Sequence, residues 1–239
     1  MKRLILALQF LTRLPVPRVT GSAEAFAASM AWFPAAGLAV GAVVAGAFRL
    51  GGLADPWVAA LAGLSAWVMV TGALHLDGLA DLADAKGAAH GDRARLLDVM
   101  ADPHIGSFGV IAIVLQLAAK LVLLHLLAPA QWLALLLVPA VARIGPLVWA
   151  RWLAPLHDGL AARFAKAVRP AHLLLWVLAW LAACHVAPAL LVAPLLIGGW
   201  WLWLRRSLGG VSGDCHGAGI ELVETGLLLA LVLSGEILA

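Results

Sequence analysis

Charge is scarce in this sequence, and tyrosine is absent altogether. Lys, Arg, Asp and Glu supply 12% of the 239 residues, whereas 64% are hydrophobic and the mean hydropathy is +0.99. Ordinary soluble domains are about a quarter charged and about half apolar. A chain this poor in charge cannot cover a water-facing surface, so lipid must be the solvent for much of its area. Cysteine is also rare. Cys184 and Cys215 stand in different segments without metal-type spacing, which excludes a disulfide framework and a zinc site. No Gly-Lys-Ser/Thr of a Walker loop and no dinucleotide fingerprint after a strand is present. No segment between apolar runs exceeds about 35 residues, so residues 1–239 read as a single membrane-embedded domain. No convincing internal repeat of the transporter kind is found either.

What is present is a series of apolar runs. A spanning helix needs about 20 mostly apolar residues, and seven stretches qualify: 35–54, 57–75, 107–127, 131–150, 171–187, 189–204 and 222–238. The expected fold is therefore all-α and polytopic, with about seven transmembrane helices, six to eight depending on how 171–204 is divided around Pro188 and Pro194. The start, Met1-Lys-Arg followed by Leu4-Ile-Leu-Ala-Leu, imitates a signal peptide, but Gln9, Thr12, Arg13, Pro15 and Pro17 interrupt it before a cleavage site. The stretch 1–14 is expected at the interface.

Basic residues fix an expected orientation. With the N-terminus inside, the inward segments 1–34, 76–106, 151–170 and 205–221 carry Lys2, Arg3, Arg13, Arg18, Lys86, Arg93, Arg95, Arg151, Arg163, Lys166, Arg169, Arg205 and Arg206. The opposite connections near 55–56, 128–130 and 188 carry none. This is the positive-inside pattern, and it accounts for the net charge of +3 without nucleic acid. Most of the tryptophans, including Trp132, Trp149, Trp200 and Trp203, fall near span ends and are expected to form an aromatic belt.

Two polar stretches carry the chemistry. In the first, Asp77, Asp81 and Asp84 stand at i, i+4 and i+7, on one helix face within an arc of about 60°. Three carboxylates on one face repel. A cation would neutralise them, and oxygen-only ligands favour Mg²⁺, Mn²⁺ or Ca²⁺ over zinc. Gly78 leaves room for close approach by a ligand or a helix. His75 lies off the stripe but near the same cavity. Further on, Asp102 either caps the next turn or helix or serves the site, and Gly106 and Gly109 shape the loop before the third span.

The second stretch is Gly209-Gly-Val-Ser212-Gly213-Asp214-Cys-His-Gly217-Ala-Gly219, followed by Glu221 and Glu224. Its glycines are expected to form a loop whose backbone N–H groups make a concave anion site ahead of a helix. Asp214, Glu221 and Glu224 add oxygen ligands or a base. Lys120 and Arg143 fall inside spans, where an unpaired charge is costly. They either hold substrate phosphates or pair with acids.

In order along the chain, Leu11-Thr-Arg13-Leu-Pro15-Val-Pro17, Phe33-Pro34-Ala-Ala-Gly37, His75-Leu-Asp77-Gly-Leu-Ala-Asp81-Leu-Ala-Asp84, Asp102-Pro-His-Ile-Gly106-Ser-Phe-Gly109 and Gly213-Asp214-Cys-His-Gly217-Ala resemble the adenosylcobinamide-GDP ribazoletransferase, or cobalamin synthase, family. Ser212 stands where threonine is expected, and His104 where a more basic residue is expected. The resemblance implies an Mg²⁺-dependent phosphotransferase of the bacterial inner membrane with its active-site loops in the cytoplasm. Its substrates would be adenosylcobinamide-GDP and α-ribazole or α-ribazole 5′-phosphate, its products adenosylcobalamin or its 5′-phosphate and GMP. Asp77, Asp81, Asp84 and Asp214 would hold the metal, and His75 or a carboxylate would accept a proton. Arg13, Asp102, Lys120, Arg143, Ser212, Gly213 and Glu221 would contact substrate. The pattern leaves room for a homo-oligomer or a complex with other cobalamin-assembly enzymes.

Two other functions compete at this level. A CDP-alcohol-type membrane phosphotransferase also sets spaced aspartates at helix ends, but no Ala-Arg follows Asp77-Gly78 at the expected place. A transporter would set its acids near the bilayer midplane, not at one membrane face.

Overall fold

A computed structural model describes residues 1–89, 92–100, 102, 104–157 and 160–237. The helices are α1 (Lys2–Leu11), α2 (Ala23–Ala27), α3 (Phe33–Gly51), α4 (Pro56–Thr71), α5 (Leu74–Ala89), α6 (Arg93–Met100), α7 (Ser107–Leu126), α8 (Ala134–Ala142), α9 (Ile144–Trp152), α10 (Leu160–Ala167), α11 (Pro170–Val186), α12 (Ala193–Ser207) and α13 (Gly213–Ile237). No strand occurs among the described residues; the single bridge joins Pro155 to Val211. The all-α, multi-pass architecture follows. Pro103 of the Asp102 motif and the end of the last expected span at Leu238 lie outside the described residues.

Each expected span is helical, with instructive differences at the ends. Among the described residues, five helical stretches are long and apolar enough to cross a membrane, Ala23–Gly51, Ser107–Leu126, Pro129–Trp152, Pro188–Ser207 and Gly213–Gly235, or six if the bent α4–α5 pair is one span, against the seven expected. α11 is a shorter apolar helix. α4 stops at Thr71, four residues before the expected end, and the chain bends by 84° into α5. The cause is local: Gly72 and Ala73 both take positive φ, +61° and +59°, a conformation that ends a right-handed helix. Arg143 similarly marks the break between α8 and α9.

Two cores organise the helices. The larger draws on α3, α4, α5, α7, α8, α9, α12 and α13. The smaller holds α1, α2, α3, α9 and α10 around Phe33 and Phe164. Exposed leucines and valines of α7 and α11, such as Leu115 and Leu174, face outward, as lipid contact requires. The tryptophans depart from a simple belt. Trp149 is fully buried and donates to the Ile197 carbonyl at 3.0 Å, Trp176 donates to Ala31 at 2.7 Å, and Trp200 donates to Cys215 at 3.0 Å. A buried indole needs an acceptor, and these three find one on another helix.

Candidate active site

The site grows from the bend after α4. The Arg13 backbone N–H donates to the Val70 carbonyl at 2.7 Å, and the Arg13 side chain lies where a Gly72 Cβ would stand. Only glycine satisfies both the positive φ and this overlay. Arg13 thus secures the corner from which α5 departs.

α5 then runs against α13. A Cβ on Gly78 would stand 2.8 Å from the Asp214 Cα, so the two backbones touch only because residue 78 has no side chain. This contact brings the carboxylates together. Asp81 feels the charges of Asp77, Asp214 and Asp84, in that order. Asp77 is exposed, while Asp81 and Asp214 are half-buried. Among the described residues none of Asp77, Asp81 and Asp214 has a Lys or Arg at ion-pair distance. Nor do three metal-ligating side chains converge into a ready coordination cluster as they stand.

Asp84 departs from the expected metal set. Its two oxygens accept the Gly106 N–H at 2.7 Å and the Gly109 N–H at 2.8 Å. These are free donors at the start of α7, so Asp84 caps that helix from another one. A Cβ on either glycine would collide with its carboxylate. Asp102, expected to cap or to bind substrate, is exposed and caps the turn ahead of α7. It accepts the His104 N–H at 3.0 Å and lies 2.6 Å from His104 Nδ1, and these bonds hold its carboxyl below the usual range.

The glycine stretch is also different from its expected form. From Gly213 onward it is helix, the first turns of α13. Only Gly209 takes positive φ, at +70°. Gly217 and Gly219, expected to frame an anion loop, serve packing, with Gly217 against the His75 backbone and Gly219 against Trp149 and Trp200. Ser212 accepts the Cys215 N–H at 3.2 Å and stands 3.3 Å from an Asp214 oxygen. The hydroxyl thus caps α13 and touches the aspartate; threonine would keep both contacts. Gly213 is exposed at the helix start with open space around it.

Lys120, Arg143 and Glu221 form a closed network beneath the aspartates. Lys120 Nζ donates to Glu221 at 2.7 Å and Glu224 at 2.6 Å, and Arg143 donates to the other Glu224 oxygen at 2.8 Å. Gln116 donates to Glu221 at 2.9 Å, and Lys120 lies 4.4 Å from the Trp67 ring centre. Two cations and two carboxylates cancel, which is how charge survives in apolar surroundings. These side chains are buried, so the expected phosphate contacts of Lys120 and Arg143 give way to ion pairing. His75 joins them: it is 3% exposed, and its Nδ1 lies 3.4 Å from Arg143. That depth removes it from direct contact with a solvent-borne substrate. Gln116 was missed in the sequence, although Gln116 and Lys120 at i, i+4 in an apolar helix could have been matched to Glu221 and Glu224.

The profile of the cobalamin-5-phosphate synthase family matches residues 3–232. The chain belongs to that family. Similar proteins named adenosylcobinamide-GDP ribazoletransferase come from Novosphingobium aromaticivorans, 62% identical over 98% of this chain and 98% of that protein, and Thiobacillus denitrificans, 53% identical over 100% and 97%. A more distant one, from Brevibacillus brevis, is 35% identical over 95% and 96%. No solved structure matches the chain. Family membership spans the bend, the aspartate helix and α13, the parts that assemble the acidic cluster.

Proposed function

We propose that this chain is an adenosylcobinamide-GDP ribazoletransferase working at the cytoplasmic face of the inner membrane. The observation that carries the reading is the Gly78–Asp214 contact, which joins Asp77 and Asp81 of one helix to Asp214 of another. A hydroxyl of α-ribazole, or of its 5′-phosphate, attacks the phosphorus attached to cobinamide. The new P–O bond forms as the diphosphate P–O bond breaks; GMP leaves and the hydroxyl proton is taken up by a base. Adenosylcobalamin or its 5′-phosphate results.

Phosphoryl transfer needs positioning and charge neutralisation more than covalent help. Carboxylates lacking a cationic partner suit a hard divalent ion, so Asp77, Asp81 and Asp214 would hold Mg²⁺, with Asp84 outside the set. Bound there, Mg²⁺ supplies neutralisation of phosphate charge. A carboxylate of the cluster is better placed than buried His75 to accept the proton, since Asp77, Asp81 and Asp214 are all more exposed. The exposed backbone N–H of Gly213 would contact phosphate oxygens at the start of α13, while buried Ser212 holds Asp214 and caps the helix behind it. Lys86, Arg205 and Arg206 line a cavity of about 260 Å³ with Gly209, and they take the phosphate-holding role expected of Lys120 and Arg143.

The test uses purified protein in lipid with adenosylcobinamide-GDP, α-ribazole and Mg²⁺, following GMP and corrinoid by chromatography. Product that disappears with Asp81→Ala supports the reading. Absence of product from wild-type protein, or turnover of a CDP-linked lipid instead, overturns it.

A further inference from the structure

Away from the aspartates, a cavity of about 500 Å³ opens between α1, α2, α10 and α11. Arg3, Arg163, Lys166 and Arg169 line it together with His172, against the single carboxylate of Glu24. Among the described residues none of the four cations has a carboxylate at ion-pair distance. Four cations facing one carboxylate leave an excess of like charge that repels, and the proposed transfer reaction uses none of them.

The cavity is built on packed structure. Phe10 of α1 meets Phe26 of α2 with ring centres 5.2 Å apart, and Phe33 of α3 meets Phe164 of α10 at 5.7 Å. Phe26 and Phe164 close the set at 5.8 Å. These rings belong to the smaller core and fix the helices from which the cations project. On α10, Arg163 and Lys166 stand at i and i+3, on one face. Arg169 precedes α11 and donates its backbone N–H to His172 Nδ1 at 3.2 Å. His172 lines the same cavity as Arg3 and Arg169. Alanines of α2 keep its wall low.

We infer that this cavity is an anion site for a phosphate group, carried either by a lipid head group or by a water-soluble phosphate. Three guanidinium groups offer planar forks that match phosphate oxygens, and Lys166 adds a point charge. Four cations from two helices, α1 and α10, and the loop before α11 would be drawn together by one dianion, which offsets their mutual repulsion.

The full chain in neutral detergent supplies the test. Retention of phosphatidylglycerol against uncharged diacylglycerol is read by native mass spectrometry, and binding of inorganic phosphate by equilibrium dialysis. The combined variant Arg163→Gln, Lys166→Gln, Arg169→Gln should weaken at least one probe by about tenfold or more, the scale of a few lost charge-assisted contacts. Loss confined to phosphatidylglycerol assigns the site to a lipid head group; loss of inorganic phosphate assigns it to a soluble ligand. The comparison with wild type separates this cavity from the one lined by Lys86 and Arg205. Glu24→Gln is the second variant and should tighten the same probe several-fold. If the triple variant holds both probes as wild type does, the inference fails. It fails equally if the triple variant does not fold and Glu24→Gln leaves binding unchanged.

Discussion

Asp84 on α5 and Gly109 on α7, 25 positions apart, are joined by a 2.8 Å hydrogen bond from the glycine N–H to the carboxylate. With the second bond from Gly106, it makes one member of the aspartate stripe a helix cap. The stripe therefore divides by depth: Asp77 is exposed, Asp81 half-buried and Asp84 buried. Asp84→Ala is expected to lower stability by about 1–3 kcal/mol, through the lost cap and two orphaned donors. Thermal unfolding in detergent checks this, and the Mg²⁺ concentration for half-maximal activity should stay put. Asp81→Ala should do the reverse, sparing the melting temperature and abolishing turnover.

Substitution at Gly78 tests the backbone contact. Gly78→Ala places a methyl 2.8 Å from the Asp214 Cα, where only backbone can give way. A displacement near 1 Å costs about 100-fold in rate when it misaligns reacting groups, and that loss in kcat is expected with helix content unchanged by circular dichroism. Gly198→Ala is the control, because nothing lies within 4 Å of the added methyl.

Removal of Lys120 exposes the buried network. Lys120→Met leaves Glu221 and Glu224 short of a cation inside the protein, and breaking a buried pair in this way costs about 3–5 kcal/mol. The expected result is a strongly reduced yield and melting temperature. Pairing the change with Glu221→Gln restores neutrality and should recover part of the loss, which a double-mutant cycle measures. If Lys120 touched substrate instead, the single variant would fold normally and show a raised KM.

The cations beside the site should act on binding. Lys86→Gln and Arg206→Gln are each expected to raise KM for adenosylcobinamide-GDP by about tenfold, the worth of one charge-assisted contact. Steady-state kinetics with α-ribazole held saturating separates this from an effect on kcat.

Much of the fold was legible because lipid imposes simple rules. Apolar runs marked the long apolar helices, though seven spans were expected where five stretches, or six with the bent α4–α5 pair, are long and apolar enough among the described residues. The i, i+4, i+7 spacing placed the aspartates along one helix. The breaks were harder. Gly72-Ala73 did not announce an 84° bend, since Ala73 in a left-handed conformation is a tertiary outcome. The glycine stretch misled for a related reason: glycine permits a loop, but at Gly217 and Gly219 it permits close helix packing instead.

By itself the sequence determined an all-α membrane chain, the positions of its acidic motifs and its likeness to one family, because composition and local periodicity act within a few turns. Only the tertiary structure decided which acids stand free. Asp84 finds its donors on α7, Lys120 finds Glu221 and Glu224 101 and 104 residues away, and Arg143 finds Glu224 81 residues away. Partners so distant are chosen by packing and by the cost of burying an unpaired charge. Among the described residues, Asp77, Asp81 and Asp214 are left without a Lys or Arg partner of this kind.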